Sequence, residues 1–442
     1  MNRTVQSVQP VTGEERQLYG LLGAILAMLV AAGFLVQGFG ATLRGLWLLQ
    51  LHPGRLLNDF TAIAGEGAAL ANAGLTAGIG LALVRLNRVR LSGPTVAATF
   101  TILGFGLFGK TPINILPIIL GVFLSARLAG KRFNEYILIA LFGIALGPLV
   151  TMLAFELVAS PWIGVPLAAA GGVLAGMLLP PLALVMLRLH QGYNLYNIGL
   201  TAGFLGLLVA AIVTASAGAP DLGARWNTAP SLLLLLLVPA LSVLLIATGL
   251  AMSARGAWTG LGKILGLSGR LPSDFMDAAG VPAGLLNMGI MGFAAWLYVV
   301  AVGGPPNGPV LGGILTVVGF AAFGKHPRNT WPVLAGVVGA ILLFGKDVAA
   351  PGPLLAALFG TTLAPLAGEF GPIVGITAGF LHLAMVERTG AWHLGMNLYN
   401  NGFAGGLTAT FLVALIEWYR GNVKDRRGDA GRPPARDGRG SP

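Results

Sequence analysis

Long apolar segments alternate with short polar stretches along almost the whole chain. Most approach the roughly 20 residues that a helix needs to cross a bilayer, and none shows the period-2 alternation of a barrel strand. Because lipid offers the backbone no hydrogen-bond partner, we expect helices. Seven segments are predicted in each half, at 18–40, 61–84, 94–108, 112–128, 134–157, 163–188 and 193–216, and at 230–253, 276–301, 309–323, 329–345, 352–367, 371–387 and 396–418. The pattern predicts an all-α, polytopic membrane protein whose third and fourth segments in each half are short, paired helices, either re-entrant or fully spanning.

Two motifs occur twice, in the same order. Gly-Lys-x-Pro-x-Asn-x-x-Pro occupies 109–117 and again 324–332, 215 positions later. His-x-Gly-x-Asn-Leu-Tyr-Asn-x-Gly occupies 190–199 and 393–402. The 215-residue offset also relates Gly54-Arg55-Leu56 to Gly269-Arg270-Leu271, Asp59-Phe60 to Asp274-Phe275, and Asn72 to Asn287. These identities predict an internal duplication, with a cytoplasmic leader at 1–16, repeats at 17–216 and 229–418, a linker at 217–228 and a basic, disordered tail at 419–442.

The charges of equivalent loops differ between the two units. The loop after the second segment carries Arg85, Arg88 and Arg90, whereas its equivalent at 303–308 has no charge. Positive residues favour the cytoplasmic face of a membrane, so equivalent loops are expected on opposite faces. An odd number of crossings per unit produces that arrangement. We therefore predict two inverted repeats with both chain termini in the cytoplasm.

Composition narrows the class of protein further. Hydrophobic residues make up 55% of the 442-residue chain and charged residues 10%, against about 25% charged in soluble domains. The net charge of +11 lies mostly in loops and the tail, which indicates membrane topology and no nucleic-acid partner. The chain has no cysteine, and no metal-ligand spacing, catalytic triad or phosphate loop stands out. We expect no cofactor and no enzymatic activity.

The Gly-Lys motif supplies the first candidate site. Proline three positions after the glycine suits the first turn of a helix, whose positive dipole end would then point back at the lysine. If the short segments of the two units approach each other, two lysines and two helix ends could bind an anion. The candidate substrate-binding residues are Lys110, Asn114, Lys325 and Asn329. The alternative is an ordinary surface turn with each lysine among the lipid headgroups.

The Asn-Leu-Tyr-Asn motif supplies the second. Its asparagines are spaced i, i+3, which would place them on one helix face, where they and the tyrosine could hold a polar solute or Na⁺. The candidates are Asn194, Tyr196, Asn197, Asn397, Tyr399 and Asn400. The alternative is that these asparagines only bridge helices. His190 and His393 are expected at the membrane edge.

Further polar residues suggest coupling to H⁺ or Na⁺. Glu66 lies deeper in its segment than the other carboxylates, and intramembrane carboxylates are often functional. Asn72 and Asn287 are matched by the repeat, so we include them with Glu66 as candidate coupling residues. Asp59 and Asp274 are interpreted as helix caps.

The doubled motifs resemble an uncharacterised family of bacterial multi-pass membrane proteins (domain of unknown function 1576). This resemblance implies an integral protein of a bacterial cytoplasmic (inner) membrane and no particular activity. The stretch from Leu398 to Gly402 is also similar to a Tyr-Asn-Gly stretch of urea transporters, which are internally duplicated.

Inverted repeats are typical of transporters whose substrate binds near the midplane, between the units. The leading hypothesis is a transporter of a small polar or anionic solute, in contact with the lipid bilayer, with H⁺ or Na⁺ as coupling ion and homo-oligomerisation left open. The first alternative is a passive, urea-type channel. A membrane enzyme or an assembly factor is an alternative of another class. Transport predicts that the motifs of both units converge on one cavity, an enzyme predicts a nucleophile or metal cluster in one unit, and an assembly factor predicts a packed interior.

Overall fold

A computed structural model describes residues 13–158, 160–217 and 223–424. Residues 1–12 of the predicted leader, 218–222 of the predicted linker and 425–442 of the predicted tail lie outside these ranges. The first half contains α1 Gly13–Gln37, α2 Phe39–Leu51, α3 Phe60–Ala64, α4 Glu66–Leu86, α5 Gly93–Phe105, α6 Pro112–Leu128, α7 Ile137–Gly143, α8 Gly147–Phe155, α9 Pro161–His190 and α10 Asn197–Ala217. The second half contains α11 Leu232–Ile264, α12 Phe275–Ala279, α13 Val281–Ala301, α14 Gly308–Phe320, α15 Pro327–Leu343, α16 Pro351–Phe359, α17 Ala364–Phe370, α18 Pro372–Trp392 and α19 Asn400–Tyr419.

The predicted all-helical membrane class is confirmed. Within the described ranges, nine helices or interrupted helices are long and apolar enough to cross a membrane. Large apolar side chains are exposed on the outer helices, as with Leu35 (84%), Trp162 (90%) and Leu232 (70%). An apolar surface of this extent has to be covered by lipid, so the chain is a polytopic protein in contact with the bilayer.

One helix was not predicted from the apolar pattern. The first predicted segment ends at residue 40, but after Gly38, with φ +78°, the chain forms a second helix, α2, that continues to Leu51. In the second half the corresponding stretch is the single long helix α11, which kinks at Ser253 (φ −168°, ψ 98°). The fifth segments are also interrupted, because a short 3₁₀ turn divides α7 from α8 and another divides α16 from α17.

The short helices α5 and α14 pack against each other at the centre of the molecule. Each has 13 residues and is therefore about 20 Å long, less than the roughly 30 Å of a hydrocarbon core. Their first turns are capped from the opposite half: Asp59 accepts a hydrogen bond from the backbone N–H of Gly308 (3.2 Å), and Asp274 accepts one from Gly93 (3.1 Å). Both aspartates also cap their own short helices, α3 and α12, which agrees with the capping role expected from the sequence.

The contact between α5 and α14 requires glycine. A Cβ atom on Gly104 would lie 2.7 Å from the carbonyl oxygen of Gly312, which is backbone and cannot turn aside. We expect Gly104→Ala to destabilise the protein by about 2 kcal/mol, because overpacking a close contact forces the helices apart. Gly78→Ala is the matched control, since a Cβ there meets nothing within 4 Å and alanine favours helix. Thermal unfolding in detergent measures both; an equal effect at the two glycines would contradict the expectation.

Candidate functional site

The two motif lysines are buried inside the protein. Lys110 lies in the turn between α5 and α6, Lys325 lies in the turn between α14 and α15, and both have 0% relative exposure. The interpretation of these turns as surface turns, with the lysines among lipid headgroups, is therefore wrong. No carboxylate lies within ion-pair distance of either lysine in the described part of the chain.

Each lysine bonds to a tyrosine of the opposite half. Lys110 Nζ donates to the hydroxyl of Tyr399, and Lys325 Nζ donates to the hydroxyl of Tyr196 at 2.5 Å. Lys325 also donates to Thr361 Oγ1 at 2.7 Å, whereas the tyrosine is the one hydrogen-bond partner of the Lys110 ammonium among the described residues. The two pairs are thus equivalent in position, but Lys325 has one more hydrogen-bond partner than Lys110.

The asparagines of the Gly-Lys motif brace the turns. Asn114 Oδ1 accepts from the N–H of Thr111 (3.0 Å), and its Nδ2 donates to the carbonyl of Gly109 (2.9 Å). Asn329 makes the equivalent two bonds, with His326 in the place of Thr111. Each amide bonds to the backbone through both its oxygen and its nitrogen, so Asn114 and Asn329 fix the turns that carry the lysines.

Asn72 and Asn287 also bond to the backbone of these two turns. Asn72 Nδ2 donates to the carbonyls of Gly106 (2.7 Å) and Lys110 (2.8 Å). Asn287 Nδ2 donates to the carbonyls of Ala321 and Lys325, both at 2.8 Å. Each side chain therefore ends a short central helix and fixes the backbone of a buried lysine.

Glu66 lies apart from this arrangement. It is the first residue of α4, is partly exposed, and makes no hydrogen bond or ion pair with any described residue. It does not line the central cavity described below. Its coupling role stays a prediction.

The Asn-Leu-Tyr-Asn motif forms a loop followed by a helix. Asn197 begins α10, whereas Asn194 precedes it, after Gln191 and Gly192 with φ +51° and +84°. The expectation that the paired asparagines share a helix face is therefore wrong, because the left-handed residues end the preceding helix and reverse the chain. The first asparagine of each motif instead reaches across the molecule: Asn194 Nδ2 donates to Gly402 O at 3.0 Å, and Asn397 Nδ2 donates to Gly199 O at 3.1 Å.

Each of these loops is seated in the opposite half. The N–H of Leu195 donates to Thr362 O, and that of Leu398 donates to Ala145 O, both at 3.0 Å. The Gly-Arg-Leu loops also bond to the opposite half: Leu56 N–H donates to Gly395 O, and Leu271 N–H donates to Gly192 O. The two doubled motifs therefore meet in two places, each built from both halves.

The motif histidines are buried inside the protein and are not exposed anchors at its surface. His190 and His393 have 0% exposure. His190 Nδ1 accepts from the N–H of Asn194, so the ring is neutral and its Nε2 proton is donated to Asn197 Oδ1 at 2.9 Å. His393 makes the same two contacts with Asn397 and Asn400.

The second asparagines of the motif also bond to neighbouring helices. Asn197 Nδ2 donates to Ala183 O of α9, and Asn400 Nδ2 donates to Val386 O of α18. Both groups of each amide are therefore occupied by protein atoms. The helix-bridging alternative describes these two side chains.

A cavity of about 370 Å³ lies where the halves meet. Tyr196 and Tyr399 line it, with the lysines directly behind their rings at 4.6 and 4.5 Å from the ring centroids. Of the other sequence candidates only Asn197 is in the lining. The remaining lining includes matched residues that sequence reasoning missed: Thr101 and Thr316, Phe105 and Phe320, Leu195 and Leu398, Gly199 and Gly402. The first two of these pairs are also 215 positions apart, which is the signal that could have found them.

The sequence comparison adds a family to this geometry. Residues 38–215 and 253–418 match a family described as "Protein of unknown function (DUF1576)". The chain belongs to that family. No curated protein and no solved structure matches this chain. Each matched stretch of this DUF1576 member ends within the helix that follows an Asn-Leu-Tyr-Asn motif, so the match includes both copies of each motif.

The cavity of this DUF1576 member has no charged lining. No acidic, basic or histidine side chain is among the residues that line it. Within the described ranges, no group of three or more His, Asp or Glu side chains is placed to hold a metal ion. The lining residues can form hydrogen bonds and apolar contacts. The two buried lysine side chains do not line the cavity themselves but contact the tyrosines that do.

Proposed function

We propose that this protein is a membrane transporter of a small polar or anionic solute and that the central cavity is its substrate site. The observation that carries the proposal is that both halves contribute equivalent residues, Tyr196 and Tyr399, to one cavity. Small-molecule sites are concave, mostly apolar and of this volume. An assembly factor would be expected to have a packed interior, which the cavity argues against.

The buried lysines favour a negatively charged solute. An ammonium group with no counter-anion is costly to bury, so a cavity beside Lys110 and Lys325 is improved by an anion. The lysines are hydrogen-bonded to Tyr196 and Tyr399, which line the cavity, so the preference for an anion extends to the cavity wall. We propose that the protein moves this solute and does not transform it.

The matched contacts of the halves support the inverted-repeat interpretation. The lysine–tyrosine pairs, the Asn72 and Asn287 bonds and the exchange of loops each occur twice, once per half. In inverted-repeat transporters one unit moves against the other around a site between them. We propose this arrangement here, in a bacterial cytoplasmic membrane with both termini inside, with H⁺ or Na⁺ coupling and oligomeric assembly as further parts of the proposal.

The test is solute uptake by the purified protein reconstituted in liposomes. The solutes are carboxylates, inorganic anions, nucleobases and urea, each compared with protein-free liposomes. We expect saturable uptake of at least one solute. We expect Ile198→Trp, which fills the cavity, to reduce that uptake at least tenfold.

Leu208→Trp is the matched control. Leu208 lies on the same helix, α10, but is 48% exposed on the outer surface, so its substitution should leave uptake unchanged. Equal uptake by Ile198→Trp and wild type would remove the cavity from the transport path. Uptake of urea alone, without saturation, would favour the passive channel.

A further inference from the structure

Two hydrogen-bond donors that line the central cavity have no acceptor among the described residues. Tyr399 accepts from Lys110, and its phenol hydrogen has no acceptor among the described residues. Asn401 also lines the cavity; its Oδ1 is held by His382 Nε2 at 3.0 Å, while its Nδ2 makes no hydrogen bond within the described ranges. Such donors suit a carboxylate, which only accepts hydrogen bonds when ionised.

The two halves contribute different residues to the cavity. At the position of Asn401, the first half has the apolar Ile198. Tyr399 and Asn401 both belong to the second half and both line the cavity, and the Tyr399 hydroxyl is the one that bonds to Lys110. That lysine has one hydroxyl partner, whereas Lys325 has two. The second half therefore contributes the additional amide donor, and its Tyr399 bonds to the lysine that has fewer hydrogen-bond partners.

The rest of the wall is apolar and largely aromatic. Phe105, Phe142, Phe320 and Phe359 line the cavity. Phenylalanine rings bind other rings favourably in edge-to-face or offset geometry. A fully hydrated inorganic anion would gain nothing from such a wall and would lose its water.

We propose that the cavity binds the anion of a small organic acid with one acid group and an apolar, ring-sized body. The carboxylate accepts from the Tyr399 hydroxyl and Asn401 Nδ2 and is neutralised by Lys110, and the body lies against the four phenylalanines. The inference rests on the transport function proposed above and specifies its substrate class.

The test is equilibrium binding by titration calorimetry to the full-length protein in detergent. The probes are phenylacetate, its neutral isostere phenylacetamide, and acetate, which has the acid group without the ring. We expect phenylacetate to bind at least tenfold more tightly than either of the others. Equal affinity for phenylacetamide, or for acetate, overturns the proposal.

Variants localise the acid group. Asn401→Ile introduces the residue that the first half has at the equivalent position, Ile198. It should weaken the binding of phenylacetate about tenfold, the amount expected for one lost hydrogen bond to a charged group. Lys263→Gln, which removes an exposed lysine, should change nothing. If Asn401→Ile does not fold, Phe320→Leu tests the contact between the aromatic wall and the apolar body of the ligand. It should weaken the binding of phenylacetate about fivefold.

Two failures can be told apart. Saturable uptake of a neutral solute that Ile198→Trp abolishes, together with no phenylacetate binding, overturns the substrate class and leaves transport standing. No binding of any probe, and no uptake that depends on the cavity, overturns both.

Discussion

Tyr399→Phe is expected to destabilise the protein by about 3 kcal/mol. The substitution keeps the ring and removes the hydroxyl that accepts from Lys110, leaving a buried ammonium group with no hydrogen-bond partner among the described residues. Removing the one hydrogen-bond acceptor of a buried ammonium group costs this much because the group stays desolvated and unsatisfied. Tyr196→Phe should cost less, since Lys325 keeps its bond to Thr361. Chemical unfolding in detergent measures the difference.

A second substitution gives the control. Lys110→Met removes the ammonium group, so Lys110→Met combined with Tyr399→Phe should recover most of the stability lost in Tyr399→Phe alone. The four proteins form a double-mutant cycle, whose coupling energy should be clearly favourable. Additive effects would mean that the lysine and the tyrosine do not interact. The recovered double variant should still fail to transport, because it lacks the charge that the proposed solute needs.

Asn287→Leu is expected to cost about 3 kcal/mol as well. Its Nδ2 is the donor to two buried carbonyls, those of Ala321 and Lys325, and each buried acceptor left unsatisfied costs about 1 to 3 kcal/mol. Loss of both bonds also frees the backbone of Lys325, so uptake should fall together with stability. The measurement is thermal unfolding in detergent beside the uptake assay.

The control for this prediction is Asn87→Leu. Asn87 is a partly exposed asparagine whose Nδ2 bonds to Leu83 O at the end of α4. Water can replace that donor, so the loss should stay below about 1 kcal/mol. Equal effects at Asn87 and Asn287 would show that the turn does not depend on the buried amide.

The sequence predicted the membrane helices and the doubled motifs because both are local signals. An apolar run is sufficient to identify a helix where lipid excludes water, and every predicted segment overlaps a helix or an interrupted helix. Proline in the first turn identified the starts of α6 and α15. The motif also identified Lys110 and Lys325 as equivalent residues, but it did not identify their tyrosine partners.

The rest depended on contacts between distant residues. Asn194 and Asn114 carry the same side chain, yet one bridges the halves and the other closes a turn, and their spacing could not tell these roles apart. The cavity wall was missed because Phe105 and Phe320 look like ordinary apolar residues of a membrane helix. The apolar pattern placed Asn194 inside the segment 193–216, whereas the structure keeps it in the loop after left-handed Gln191, before the helix that begins at Asn197.

The exchange of loops has a consequence for the synthesis of the protein. Lys110 and Tyr399 are 289 residues apart, and the lysine leaves the ribosome first. At about 5 to 20 residues per second, the tyrosine follows about 15 to 60 s later. During that interval the first Gly-Lys turn has no hydroxyl for its ammonium group, which is costly inside lipid. The nascent first half is therefore unable to close its own core, and its completion has to wait for the last helix of the chain to be inserted.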